Sequence, residues 1–369
     1  MDTSASAWSE YRRVLCIRLD TIGDVLMTTP AIRALSEQCT DRRITLLTSR
    51  PGALAGALVP EVDRVIAYDA PWMKASSSDD SPWRDCAMVE RLRACDFDAA
   101  VIFTTFSQSP LPAALMCHLA GIPTRRAHCR ENPYHLLSEW VREIEPEQGI
   151  RHEVKRQFDL VASIGASTDR TGLSLSIPPD ATIGAIRRLR EAGHDPAQPW
   201  IVLHPGATAE SRRYPPELYA EAMRRLGAET THRIVVTGTQ EERAAAILTA
   251  ELGDAAVSLT GSLAFEELCG LIAAAPLLIS NNTGPVHIAA AVGTPVVDVY
   301  ALTNPQHTPW QVPSRVLSHD VSCRWCFRSV CPEGHHRCLR MVSPADVAQA
   351  ALDLLDEVSP EQSRLATIG

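Results

Sequence analysis

The sequence predicts an α/β protein made of two tandem Rossmann-like domains, each with a doubly wound parallel sheet. Three observations predict it. Short apolar runs that are typical of buried strands alternate with segments of helical periodicity. This alternation stops near the middle of the chain and then restarts. The length of 369 residues suits two domains of about 150 residues each.

The first half opens with an apolar run at residues 14–19, a loop at 20–23 and a helical pattern at 24–38. A continuous apolar run is typical of a strand buried on both faces. The alternation continues through strands at 44–48, 65–68 and 99–103 and helices at 53–58, 84–94 and 112–120. A Ser- and Asp-rich stretch between Lys74 and Pro82 reads equally well as a mobile loop beside a site and as a surface linker.

Helical segments at 153–164 and 182–192 lead into a region with several prolines, which predicts a domain boundary between residues 176 and 199. We place the N-terminal domain at residues 1–180 and the C-terminal domain at 181–369. The alternation then resumes with strands at 200–204, 233–237, 257–259, 277–280 and 296–300 and helices at 216–226, 241–252, 265–274, 286–291 and 345–355. Ligands bind at the carboxyl ends of the strands in such sheets, so the loops after the strands hold the candidate residues.

Composition narrows the function classes. Hydrophobic residues make up 45% and charged residues 21%, as expected for a globular protein. A net charge of −9 disfavours nucleic acid and anionic membranes as partners. Nearly all positive charge is arginine, which suits small phosphate or carboxylate ligands. The N-terminus lacks signal-peptide character and the longest apolar stretch, 268–279, is too short to span a membrane, so we expect a cytoplasmic protein.

Two loops of the second domain have the chemistry of an anion site. Neither a G-x-G-x-x-G fingerprint nor a phosphate loop of P-loop type occurs, which disfavours dehydrogenases and P-loop NTPases. The loop after strand 200–204 offers Gly206 and Thr208, with Arg212 just beyond, and the loop after strand 277–280 offers Thr283 and Gly284 at a helix start. Either loop alone reads better as a turn with a helix cap, but two in one domain favour phosphate binding.

In the first domain, Asp20 and Asp24 flank the turn after the first strand. Asp24 suits helix capping and equally suits a general base that deprotonates a hydroxyl. Asp96 and Asp98 resemble a metal-holding D-x-D, but they precede a strand, so we interpret them as loop and strand-entry polarity.

Four of the eleven cysteines lie close together, in the spacing C-x2-C-x4-C-x6-C. This spacing predicts one structural zinc or iron site, a knuckle at residues 323–338, with reduced cysteines and no metal as the alternative. Its expected ligands are Cys323, Cys326, Cys331 and Cys338.

With these residues in view, the sequence resembles the heptosyltransferases of glycosyltransferase family 9. Three ordered motifs carry the resemblance: residues 14–30, residues 204–208 with 212–215, and residues 281–287 with 293–295. The resemblance implies a GT-B fold, with the nucleotide sugar held mainly by the C-terminal domain and the acceptor by the N-terminal domain. It also implies inverting transfer from ADP-heptose without a catalytic metal.

The resemblance implies roles for particular residues. Asp24 matches the catalytic base and Arg212 the basic residue near the diphosphate. The donor-binding positions implied are Gly206, Thr208, Asn282, Thr283, Gly284 and His287. The family usually has Asp where this chain has Asn282, and an amide is neutral and both donates and accepts hydrogen bonds.

The cysteine segment is similar to cysteine-rich C-terminal segments in parts of the family, including the iron finger of autotransporter heptosyltransferases. The implied acceptor is therefore the lipopolysaccharide core, another glycan or a protein hydroxyl, and a homo-oligomer is compatible with the resemblance. The competing hypothesis is a non-catalytic nucleotide-binding module that recruits a partner through the cysteine knuckle.

Overall fold

The computed structural model describes residues 8–73, 81–240 and 243–365. It confirms the predicted class, because two six-stranded parallel sheets are interleaved with helices. The chain divides between Ser176 and Ile177 into two compact units. The stretch from Lys74 to Asp80, which forms most of the expected loop, lies outside the described residues.

The first unit alternates strands and helices in the manner that its sequence predicts. Its elements are β1 (Arg13–Arg18), α1 (Ile22–Glu37), β2 (Arg43–Thr48), α2 (Arg50–Gly56), β3 (Arg64–Ala67), α3 (Pro82–Ala94), β4 (Ala99–Ile102), α4 (Leu111–Leu119), β5 (Thr124–Cys129), β6 (Glu139–Arg142) and α5 (Glu153–Ala162). The strand order is β3-β2-β1-β4-β5-β6. The order therefore reverses between β1 and β4, and the loops after these two strands meet at that point.

The second unit repeats this plan. Its elements are α6 (Pro179–Glu191), β7 (Trp200–His204), a 3-10 turn (Glu210–Arg212), α7 (Pro216–Glu229), β8 (Arg233–Val236), α8 (Arg243–Leu252), a 3-10 turn (Gly253–Ala255), β9 (Ala256–Ser258), α9 (Phe265–Ala274), β10 (Leu278–Asn281), α10 (Gly284–Val292), β11 (Val296–Val299), β12 (Ser314–Leu317), α11 (Arg337–Arg340) and α12 (Pro344–Leu365). The order β12-β11-β10-β7-β8-β9 reverses between β7 and β10. The loops after β7 and β10 therefore occupy the equivalent position.

Each unit has its own apolar core. In the first, buried residues such as Leu15 and Ile102 belong to neighbouring strands and pack with the helices above them. In the second, buried residues of β7 pack with those of α7 and α12, including Leu203 and Leu354. Burial of this apolar surface fixes the sheets that carry the loops.

A glycine decides how closely α6 packs on its neighbour. A Cβ atom on Gly270 of α9 would lie 2.7 Å from the Cα atom of Thr182 in α6. No real side chain tolerates that distance, so the close approach of these helices requires glycine.

The sequence did not predict three strands: β5, β6 and β12. In β5 the cause is polarity, because Arg125 and Arg126 are both buried in it. Their guanidinium groups donate to backbone carbonyls, Arg125 Nε to Leu136 at 2.7 Å and Arg126 Nε to Leu160 at 3.0 Å. Tertiary partners thus compensate for charges that single-sequence patterns read as exposed.

Across the described ranges, every helix is too short or too polar to cross a bilayer.

Candidate active site

Arg18 organises the point where the first sheet reverses its strand order. It ends β1, its side chain is fully buried, and its guanidinium contacts three carboxylates. The distances are 3.0 Å from Nε to Asp20 Oδ2, 3.1 Å from Nη2 to Asp24 Oδ1 and 2.9 Å from Nη1 to Glu153 Oε1. One buried cation therefore fixes carboxylates from the β1–α1 loop, α1 and α5.

Arg18 keeps its positive charge in the folded protein. Burial lowers its pKa, but the carboxylates of Asp20, Glu153 and Asp24 outweigh burial and raise the pKa above its ordinary value. A charged residue at the end of an apolar run was the available signal for Arg18. Glu153 gave none, because only the fold brings α5 next to β1.

Asp24 is the third residue of α1, and its two oxygen atoms have different partners. Oδ2 accepts from the backbone N–H of Thr21 at 3.2 Å and from the Thr21 hydroxyl at 3.1 Å, which caps the helix. Oδ1 faces Arg18, and 17% of the side chain is exposed. The helix-capping interpretation is therefore correct in geometry, and Asp24 is also held by a cation while part of its side chain stays exposed. Its role as a base stays a prediction.

Asp20 is the second carboxylate of this point. Burial raises its pKa to about 6, which the charge of Arg18 opposes and that of Asp24 reinforces. The side-chain amide of Gln108, from the loop after β4, donates to Asp20 Oδ1 at 2.6 Å. The two loops at the reversal point are thus joined directly, which the sequence did not reveal for Gln108.

Asp96 and Asp98 serve the fold. Asp98 Oδ2 accepts from the backbone N–H groups of Arg12 and Arg13, each at 2.7 Å, and Asp96 pairs with Arg13 at 2.7 Å. These contacts fasten the start of β1 to the start of β4, in agreement with strand-entry polarity.

In the second unit, Asn281 ties together the two loops at the reversal point. It ends β10, and its amide nitrogen donates to the Pro205 carbonyl, just after β7, at 2.6 Å. Its side-chain oxygen accepts from the Tyr214 backbone N–H at 3.0 Å. The Ser280 hydroxyl adds a bond to the His204 carbonyl at 3.1 Å. Buried hydrogen bonds therefore hold the β7 and β10 loops side by side.

The predicted donor residues lie on these loops. Gly206 is buried and Thr208 is exposed after β7, whereas Thr283 and Gly284 are half-buried at the start of α10. The Thr283 hydroxyl donates to the Asn281 carbonyl at 3.2 Å, so it does not cap α10. Pro285, the second residue of α10, has no N–H, and the Val286 N–H donates to the Thr283 carbonyl at 3.1 Å, so the Gly284 N–H is the group of this first turn that an anion can use. His287 is buried in its first turn.

Arg212 lies in the 3-10 turn that follows the β7 loop. Its Nη2 atom is 3.4 Å from Asn304 Oδ1. The next residue, Arg213, points back at the loop and donates from Nε to the Ala207 carbonyl at 2.7 Å. The two arginines therefore differ: Arg213 fixes the loop, and Arg212 is held by one long hydrogen bond.

Behind Asn282 lies a buried carboxylate. The amide nitrogen of Asn282 donates to Asp298 Oδ2 at 2.8 Å. Burial raises the pKa of Asp298 to about 8, which the Asn282 hydrogen bond and the charge of Arg212 oppose. Asp298 is not among the predicted site residues, although a charge inside the apolar run at 296–300 was a usable signal.

The cysteine segment, residues 323–338, packs against the Arg212 turn. The Ser211 N–H donates to the Ser329 carbonyl at 3.0 Å, and the Ser211 hydroxyl donates to the Arg328 carbonyl at 2.7 Å. The Phe327 N–H donates to the Thr303 carbonyl at 2.7 Å, next to Asn304. This segment therefore supports the residues that hold Arg212.

The structure does not confirm the predicted metal site. Burial raises the pKa of the Cys338 thiol, which a backbone hydrogen bond with Leu302 opposes and the charges of Cys331, Cys323 and Cys326 reinforce. Cys323 Sγ also lies 3.8 Å from a ring nitrogen of His335. Even so, among the described residues no group of three or more His, Cys, Asp or Glu side chains is arranged to hold a metal ion.

The chain is similar to known proteins of one enzyme family. The family model for glycosyltransferase family 9 (heptosyltransferase) matches residues 86–337. Lipopolysaccharide heptosyltransferase 1 of Pseudomonas aeruginosa is 26% identical over 325 residues, which cover 86% of this chain and 87% of that protein. With some other heptosyltransferases the match covers only about half of their length.

Solved structures share the fold. ADP-heptose lps heptosyltransferase II of E. coli superimposes with a TM-score of 0.74 at 21% identity, covering 94% of this chain and 99% of that one. The iron-containing dodecameric glycosyltransferase TibC of enterotoxigenic E. coli gives a TM-score of 0.56 at 13% identity, covering 94% and 77%. The fold is thus that of the GT-B heptosyltransferase structures. The chain belongs to glycosyltransferase family 9, the heptosyltransferases, and is a glycosyltransferase enzyme.

Proposed function

We propose that this protein is an inverting glycosyltransferase that transfers heptose, or a related sugar, from an ADP-sugar to a hydroxyl group of a glycan. One observation carries the proposal: in each unit the polar side chains gather where the strand order reverses. In the first unit they are carboxylates on the buried Arg18. In the second they are neutral groups and Arg212 beside an uncapped helix start. The first suits an acceptor hydroxyl and the second a diphosphate.

The proposed reaction is a single displacement. The acceptor oxygen forms a bond to the anomeric carbon of the sugar while the bond from that carbon to the diphosphate oxygen breaks. Asp24 accepts the hydroxyl proton, and ADP leaves with the electron pair of the broken bond. One displacement inverts the configuration at the anomeric carbon.

Arg212 and the start of α10 stabilise the charge that develops on the leaving diphosphate. A guanidinium is suited to phosphate oxygens, and so is the Gly284 N–H together with the dipole of α10. The N-terminal unit would accordingly hold the acceptor and the C-terminal unit the donor. The acceptor proposed is the lipopolysaccharide core, in keeping with the names of the relatives, with a protein hydroxyl as the alternative.

The decisive measurement is calorimetric binding of ADP, UDP and GDP, because it needs no acceptor. We expect ADP to bind most tightly, and a transfer assay with ADP-heptose and lipopolysaccharide core then identifies the acceptor. Tighter binding of UDP or GDP would mean that the donor is a UDP-sugar or a GDP-sugar. Failure of all three to bind would overturn the proposal.

Assembly is a further part of the proposal. TibC is dodecameric, and we propose that copies of this chain likewise assemble into a homo-oligomer. Light scattering after gel filtration tests it, and a monomeric mass would contradict it.

A further inference from the structure

Asn282 occupies a position where its amide group can have one orientation only. Its nitrogen lies 2.8 Å from Asp298 Oδ2 and 2.9 Å from the backbone carbonyl oxygen of His307. A backbone carbonyl accepts hydrogen bonds and never donates them. The atom that faces both partners must therefore be the NH2 group, so both amide hydrogens are used.

The remaining polar atom of the side chain is Oδ1. It makes no hydrogen bond to any part of the chain that the structure describes, and it follows β10 beside the start of α10. Asn282 consequently offers a ligand one neutral acceptor. A hydroxyl group, which can donate, matches this atom, whereas a phosphate oxygen does not.

Asp298 is the residue that sets this orientation from behind. It lies on β11, paired in register with Ser280 of β10, and is fully buried. Its second oxygen, Oδ1, has no hydrogen-bond partner in the described residues. Burying a carboxyl group with one oxygen that makes no hydrogen bond costs stability, and an apolar side chain would pack in β11 without that cost. The cost therefore points to a role for Asp298 other than packing.

The other acceptor belongs to the loop that also holds Arg212. A ring nitrogen of His307, Nδ1, lies 2.7 Å from the amide nitrogen of Asn304, whose Oδ1 lies 3.4 Å from Arg212 Nη2. The orientation of Asn282 and the placement of Arg212 thus depend on one buried network.

We propose that Asp298 is a positioning residue of the donor site: together with the His307 carbonyl it takes both amide hydrogens of Asn282 and fixes Asn282 Oδ1 as the acceptor for a sugar hydroxyl of the nucleotide sugar. This inference rests on the proposed donor role of the second unit. The hydroxyl belongs either to the ribose or to the transferred sugar, and the two are separated by the choice of ligand.

The test measures how strongly the protein prefers a hydroxyl over its deoxy counterpart. Calorimetry compares ADP with 2′-deoxy-ADP and 3′-deoxy-ADP for the ribose, and ADP-heptose with its monodeoxy analogues for the transferred sugar. We expect the wild type to bind one hydroxyl-bearing ligand about five- to tenfold more tightly than its deoxy counterpart, the size of one neutral hydrogen bond.

The variants separate positioning from structure. Asp298→Leu removes the acceptor behind Asn282, so the preference should fall below about twofold while the deoxy ligand binds as before. Asp298→Asn still offers an oxygen to the Asn282 amide and should keep the preference. If Asp298→Leu does not fold, Asp298→Ala serves in its place, and Asn282→Ala should abolish the preference as well.

Two results would overturn the inference while leaving the proposed function intact. One is nucleotide binding with no preference for any hydroxyl. The other is an Asp298→Leu variant that weakens both members of a ligand pair equally, as a purely structural role would. If the wild type binds no nucleotide at all, the proposed function fails and this inference fails with it.

Discussion

The two units share a strand order and differ in what they place where that order reverses. At the β1 and β4 loops, Arg18 is surrounded by three carboxylates at 2.9 to 3.1 Å. Next to the β7 and β10 loops, on β11, the buried carboxyl group of Asp298 makes no ion pair in the described part of the chain and faces an amide. One point is ionic and the other is a neutral hydrogen-bond network with an arginine at its margin.

This difference fits the proposed reaction, in which the first unit holds the acceptor and the second unit holds the donor. An ionised carboxylate near a hydroxyl can take a proton, and its charge would repel a diphosphate. Neutral amides, hydroxyls and backbone N–H groups accommodate a diphosphate without that repulsion. Changing the charged groups of the first unit should therefore impair removal of the hydroxyl proton. Changing the polar groups of the second unit should impair binding of the diphosphate.

The largest effect is expected for Asp24→Asn. Asn keeps the shape and still caps α1, but it cannot take a proton, so turnover should fall about 10²- to 10⁴-fold. Nucleotide affinity should stay within about twofold of wild type, because Asp24 lies in the other unit. Steady-state kinetics and calorimetry measure the two quantities. Asp96→Asn, a change of the same kind at an exposed residue, is the control. Unchanged turnover in Asp24→Asn would remove Asp24 as the base.

Arg18→Met should cause a large loss of stability. It leaves three carboxylates around a buried apolar side chain, and breaking a buried ionic group costs about 3–5 kcal/mol. Urea denaturation gives the free energy of unfolding. Arg43→Met is the matched control, since its pair with Asp63 at 2.6 Å is on the surface and should contribute little to stability. Equal losses in the two variants would mean that the Arg18 cluster contributes no more than a surface pair.

Asp298→Asn should make stability less dependent on pH. The pKa of Asp298 is about 8 in the folded chain, above its ordinary value, so the folded state keeps a proton that the unfolded state releases. Wild-type stability therefore falls as pH rises from about 4 to about 8, by about 1 kcal/mol per pH unit from this group. The variant lacks that slope, and Asp20 contributes equally to both proteins. Urea denaturation at pH 5, 7 and 9 measures the difference, and parallel curves would contradict it.

Arg212→Gln should weaken ADP binding about 10- to 100-fold, because a charge-assisted contact with a phosphate is lost. Stability should change little, since Arg212 makes one long hydrogen bond to Asn304. Calorimetry measures affinity. Arg225→Gln, which removes an equal charge from an exposed pair with Glu221, should bind ADP normally. An Arg212→Gln variant with wild-type affinity would place the diphosphate elsewhere.

Much of the architecture was predictable because strands buried on both faces leave continuous apolar runs. The runs for β1, β7 and β10 are of this kind, and the loops after them are where the candidate residues lie. The polar strand β5 was missed because its arginines become acceptable in a core only when distant carbonyls satisfy them. The cysteine spacing predicted a metal site that the described residues do not confirm, since spacing sets the reach of ligands and not their geometry.

The sequence by itself determined the two-domain α/β plan, the positions of Asp24 and Arg212 after strands, and the motifs of the family. Only the tertiary structure decided which partners those residues have. Glu153 reaches Arg18 from 135 residues along the chain, and Asp298 reaches Asn282 from the next strand. The local sequence pattern shows only whether a residue is apolar or polar. The charge, protonation and orientation of a buried polar group depend on neighbours that only folding supplies.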